Sequence, residues 1–168
     1  MKKIVILFTS FLLVSCSSDD NTNSNPIPTG SDSVSLIFDN KEFSTKNDGT
    51  FYGNSFVSPS YTGTTIMFYL MNVNFSLGIT IGININIEEG KTYPLNGYNV
   101  SNGIGKFSFT TNYSQSFGGM TNNEIGGTIT IVKLDYENRI IAATFEFDAA
   151  EDDGTVHTIR NGWFDLKF

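Results

Sequence analysis

The chain has 168 residues, a formal net charge of −7 and 14% aromatic residues. Its Lys and Arg are scattered, which excludes the basic footprint that nucleic-acid binding requires. One cysteine and one histidine exclude an internal disulfide and leave a zinc site without its usual ligands.

Met1-Lys2-Lys3 opens the sequence with charge, and residues 4–14, IVILFTSFLLV, follow as an apolar run. A membrane-spanning helix needs about 20 apolar residues, so this run is too short to cross. A cationic start, a short apolar run and a small residue after it predict a secretory signal over residues 1–15. Ser15 is the small residue, and Cys16 stands directly behind it. Leu13-Val14-Ser15-Cys16 resembles the lipobox of bacterial lipoproteins. The resemblance implies cleavage between Ser15 and Cys16, a diacylglyceryl thioether on the Cys16 sulfur and a third acyl chain on the new amine. That lipid is covalent, and no other cofactor is expected. Two or more acyl chains hold a protein durably to a bilayer.

Residues 17–33, SSDDNTNSNPIPTGSDS, have too little apolar surface to offset the entropy of ordering. Residues 16–33 therefore read as the lipidated cysteine and a disordered tether, with a root-mean-square span of roughly 20–25 Å. Ser18-Asp19-Asp20 resembles the export signal of Bacteroidetes lipoproteins displayed on the outer cell surface. Without that signal, the same tether holds the domain at the periplasmic face. Asp32-Ser33-Val34 resembles a short O-glycosylation motif of the same bacteria. Loss of Lys2 and Lys3 with the signal leaves eight basic and seventeen acidic residues, a net charge of −9. Such a surface argues against docking on anionic lipid.

Residues 34–168 are predicted to form one β-domain of ordinary size. Period-two alternation predicts strands at Val34–Phe38 and Glu42–Thr45 around a turn at Asn40-Lys41, at 51–57, at Thr65–Val73 and at Ile79–Ile87. In the last, the isoleucines at 79, 81, 83, 85 and 87 share one face, as a half-buried antiparallel strand requires. Further strands are expected at Lys106–Thr111, Gly127–Leu134, Arg139–Asp148, Thr155–Ile159 and 163–168. Asp135–Asn138 reads as a hairpin turn. Asn161-Gly162 reads as a second hairpin turn or a glycine bulge. Eight to ten short strands predict an all-β fold, an antiparallel β-sandwich, with a closed β-barrel as the alternative.

Residues 126–168, GGTITIVKLDYENRIIAATFEFDAAEDDGTVHTIRNGWFDLKF, together with INIEEGKTYPL at 85–95, resemble a family of Bacteroidetes outer-membrane lipoproteins. Its ending follows the pattern KLD…FEFDA…G.V..I..G.FD. The resemblance implies an envelope location and transfers no activity and no site residue.

Catalytic constellations are not legible. His157 lies mid-strand in TVHTI with no nucleophile context, and reads as a surface strand residue. Glu151, Asp152 and Asp153 form an acidic turn that offers two or three oxygens to calcium. Glu88, Glu146 and Asp165 sit in predicted strands, and a glycan hydrolase would need two of them at a defined gap. Trp163 shares a face with Asp165 and Lys167. It reads as an exposed platform for a sugar ring or a protein contact, or as a Trp lying over an edge or under a loop. Tyr52, Tyr61, Tyr98 and Tyr113 fall in or near loops and extend such a platform or pack the loops. The expectation is a non-catalytic binding module on the outer membrane, facing the cell exterior. Its partner is a subunit of an envelope complex or a glycan. A carboxylate-dependent glycan hydrolase and a purely structural envelope protein are the alternatives.

Overall fold

The computed structural model describes residues 27–46, 58–60, 63–71, 74–83, 86–97, 103–111 and 115–168. Ser15, Cys16, Ser18, Asp19, Asp20, Tyr52, Tyr61, Tyr98 and Tyr113 lie outside them, as does the strand predicted at 51–57. The described chain contains eleven strands and no helix. They are β1 (Ser33–Phe38), β2 (Lys41–Ser44), β3 (Ser58–Ser60), β4 (Gly63–Met71), β5 (Phe75–Ile83), β6 (Thr92–Leu95), β7 (Gly103–Thr111), β8 (Gln115–Met120), β9 (Gly127–Asp135), β10 (Ile140–Ala150) and β11 (Val156–Lys167).

The strands pair in the order β2-β1-β11-β10-β9-β6-β7-β5-β4-β3, with β8 joining β10 to β7. Every pair is antiparallel except β6 with β7, which meet in parallel at Leu95 and Gly103. Among the described residues the order ends at β2 and β3, while β8 links β10 back to β7. The sheet folds over on itself as a β-sandwich. Phe68 on β4 sits 5.6 Å from Phe164 on β11 and 5.7 Å from Phe145 on β10. Phe38 on β1 stacks 5.5 Å from Phe109 on β7, and Phe43 on β2 meets Phe75 on β5 at 4.9 Å. These rings belong to opposite layers. Edge-on and stacked aromatic pairs of this kind contribute about 0.5–1.5 kcal/mol beyond their burial.

The alternation explains the core. Ile79, Ile81 and Ile83 are buried from one face of β5, and Ile66, Phe68 and Leu70 from one face of β4. Ile129, Ile131, Ile141, Phe145 and Phe147 close the other side. Each such side chain contributes roughly 1.5–3 kcal/mol when taken out of water.

One turn differs from expectation, and at Asn161-Gly162 the bulge alternative holds. The β1–β2 hairpin turns at Asp39-Asn40, one residue before the predicted place, and both residues have positive φ (46° and 65°). That is the primed turn whose twist matches the flanking strands, and Asp and Asn tolerate it best after glycine. Asn161-Gly162 makes no hairpin. Ile159 pairs with Phe147 and Gly162 with Phe145, so β11 runs on through a bulge with Asn161 at φ 50°. The bulge brings Gly162 under the Phe145 ring, where a Cβ would lie 2.6 Å from ring carbons.

Candidate functional site

β1 and β11 run antiparallel, so each end of the sandwich collects residues distant in sequence. At one end lie the β1–β2 turn, the turn after β10 and the start of β11. His157 points inward there, 9% exposed. Its Nδ1 is 2.6 Å from Asp39 Oδ2, and its Nε2 is 2.7 Å from Glu151 Oε1. The ring lies parallel to Phe38 at 5.5 Å and close to parallel with Phe117 at 5.2 Å, with Phe107 edge-on at 4.9 Å. Asp39 Oδ1 also accepts the Thr158 amide at 2.9 Å.

Burial alone would lower the His157 pKa. The hydrogen bonds and charges of Asp39 and Glu151 outweigh it and hold the pKa above 6.5. When protonated, the ring donates from both nitrogens, each to a carboxylate. This corrects the reading of His157 as a surface residue. Its parity with Ile159 put it on the core face, and that signal was present in the sequence. Asp39 was missed because nothing local links it to His157.

The same geometry accounts for the acidic turn. Glu151 is turned onto His157, and Asp153 Oδ1 accepts the Thr155 amide at 2.9 Å, while Asp152 is exposed. The carboxylates do not converge on a common point. Among the described residues, no group of three or more His, Cys, Asp or Glu side chains is arranged to hold a metal ion.

At the other end of β11, Asp165 is 3% exposed although it points to the outer face. The backbone amides of Thr29, Gly30 and Ser31 donate to it at 2.9, 2.8 and 3.3 Å, and the Ser31 hydroxyl at 3.0 Å. Burial raises its pKa, but these donors more than reverse that and hold it below 3.8. Asp32 Oδ1 accepts the Lys167 amide at 3.0 Å. Residues 29–33, which composition assigns to the tether, are thus fastened across β11. Ala142, opposite Asp165 on β10, is fully buried on the same outer face.

Trp163 is 7% exposed, and its indole Nε1 has no hydrogen-bond partner among the described residues. The expected exposed platform is therefore absent. Strand parity identifies the outer face of the sheet correctly, but cannot say what lies on that face. Trp163→Ala removes a buried side chain and tests stability before it tests binding.

The carboxylates proposed for hydrolysis are not brought together. Glu146 is exposed on β10, and Asp165 faces Ala142, four residues further along that strand. At about 3.3 Å per residue the offset is roughly 13 Å. Paired glycosidase carboxyls stand about 5–9.5 Å apart. Glu88 is exposed in the loop before β6, where its amide donates to Tyr93 Oη at 2.8 Å.

An exposed apolar row also emerges. Val156 on β11 and Met120 on β8 both pair with Ala150 on β10, one from each side. Directly paired residues share a face. Val156 is 47% and Met120 46% exposed, at the same end of the sandwich as His157. Lys106 pairs with Met120 on the far side, and Glu151 follows Ala150. This row was not legible beforehand, because β8 did not read as a strand.

Compared with known proteins, the chain matches no family model, no curated protein and no solved structure.

Proposed function

We propose that this protein is a lipid-anchored, non-catalytic binding module of the bacterial outer membrane, displayed on the cell exterior as an accessory subunit of an envelope complex. The observation that carries the binding role is the Val156–Ala150–Met120 row. An apolar strip edged by charged residues has the make-up of a protein contact, with a dry centre and a polar rim. The anchor rests on Cys16 and its lipobox-like context. The non-catalytic reading draws support from how the reactive groups are used. His157 is held between two carboxylates, and Asp165 is saturated by three amides and two hydroxyls.

The test is a pull-down of the tagged, lipidated protein from gently solubilised outer membranes. A near-stoichiometric protein partner that is lost with Met120→Asp or Val156→Asp supports the assignment. Recovery of the same partner by both variants removes the row as the contact. Binding to glycans in place of any protein moves the assignment to a glycan-binding module. Cys16→Ala should abolish fatty-acid labelling, and a variant that still labels overturns the anchor.

A further inference from the structure

Asp165 fixes the place at which residues 29–31 meet the sandwich. Ile27 is 87% exposed at that place. Gly30 lies against Ile140 and Lys167, the residues that open β10 and close β11. The β9–β10 hairpin tip is therefore beside it. Tyr136 at this tip is 59% exposed and stands at 90° to Phe168, with ring centroids 6.1 Å apart. The two most exposed large hydrophobic side chains among the described residues, Ile27 and Tyr136, are thus at the same end.

From Cys16 to Ile27 the chain can reach at most about 40 Å. β11, with 12 residues, is itself about 40 Å long. A bilayer holding the Cys16 lipid therefore meets the Ile27 and Tyr136 end first. The His157 end reaches it only with the tether pulled nearly straight. Tethering also raises the local concentration to the millimolar range, so a contact too weak to bind free protein is populated.

We propose that Tyr136 and Ile27 form a lipid-contact surface that seats the domain with its tether end on the membrane. The inference rests on the lipid anchor proposed above. Tyrosine suits the interface, with an apolar ring and a polar tip. The charges around it are mixed: Lys133 lies 3.9 Å from Glu89 and 4.0 Å from Asp135, with Glu137 and Arg139 exposed nearby. The surface it fits is accordingly a zwitterionic one.

The sulfur of Cys16 is blocked in the lipidated protein, so one added cysteine is a unique thiol. Glu137→Cys and Asp152→Cys, each carrying a nitroxide, are placed as full-length lipidated protein on phosphatidylcholine vesicles. Collision rates with oxygen and with a water-soluble nickel chelate report depth. The label at 137 is expected to show a severalfold higher oxygen-to-nickel ratio than the label at 152. Ile27→Ser with Tyr136→Ser, both surface changes, should remove that difference. Equal ratios at 137 and 152 on protein whose intact mass includes the acyl chains overturn the lipid contact alone. A difference that arises only with phosphatidylglycerol overturns it too, in favour of Lys133 and Arg139. An intact mass without acyl chains overturns the anchor and the contact together.

Discussion

His157 and Asp39 lie 118 residues apart in sequence, and their side chains meet at 2.6 Å. The contact ties the β1–β2 turn to the start of β11, and Glu151 on the other ring nitrogen ties in the turn after β10. His157→Gln keeps a polar side chain and removes the charge. Hydrogen bonds to charged groups contribute about 1.5–3 kcal/mol. With Asp39 about 40% exposed, a loss of about 2 kcal/mol is expected in urea unfolding.

The pH dependence of that loss has a definite sign. The folded pKa of His157 lies above its unfolded value of 6.5. Its stabilisation is fully present below 6.5 and is lost as pH rises through the folded pKa. Wild-type stability should therefore fall as pH rises above 6.5, and the His157→Gln profile should be flat there. Parallel profiles would show that the charge on His157 contributes nothing.

Asp165 works in the opposite direction. Its folded pKa is held below the usual 3.8, so its contribution is present above 3.8 and lost as pH falls through the folded value. Asp165→Asn leaves one acceptor oxygen for donors that used two. A loss of about 2–3 kcal/mol is expected, with faster hydrogen exchange at Gly30 and Ser31. Unchanged exchange at those two amides would mean that other contacts hold the segment.

Gly127 and Gly82 give a contrasting pair. A Cβ on Gly127 would run into the carbonyl oxygen of Glu146, which is backbone and cannot swing away. Gly127→Ala should cost about 3 kcal/mol or more. A Cβ on Gly82 meets only the Ile104 Cγ2 methyl, at 3.2 Å. Gly82→Ala should shift stability by less than about 1 kcal/mol, because alanine also loses less backbone freedom on folding. Guanidinium midpoints of the two variants decide the comparison.

Ser18, Asp19 and Asp20 changed together to Ala should leave the protein acylated but shielded from protease added to intact cells. Undiminished cleavage would remove these residues as the surface signal.

The parts legible in the sequence were those with strict alternation. Ile79, Ile81 and Ile83 declared both the strand and its buried face. β6 and β8 were hidden for different reasons. TYPL holds Pro94, which reads against a central strand. β6 accommodates it because it pairs fully with β9, and with β7 only at Leu95. QSFGGM holds two adjacent glycines, poor strand formers on their own. Tertiary contact selects them, since a Cβ on Gly119 would lie 2.7 Å from the Ala150 carbonyl oxygen. At the candidate site, parity placed Trp163 on its correct face, while His157 was read as a surface residue although it shares a face with Ile159. The partners of His157 and the burial of Trp163 came from chain segments that only the folded topology brings near.

β1 pairs with β11 along its length, Ser33 facing Asp165 and Phe38 facing Ile159. β1 thus finds its main neighbour only across most of the chain. Contacts this distant in sequence are slow to form. The sandwich therefore locks late, only when these two distant strands meet.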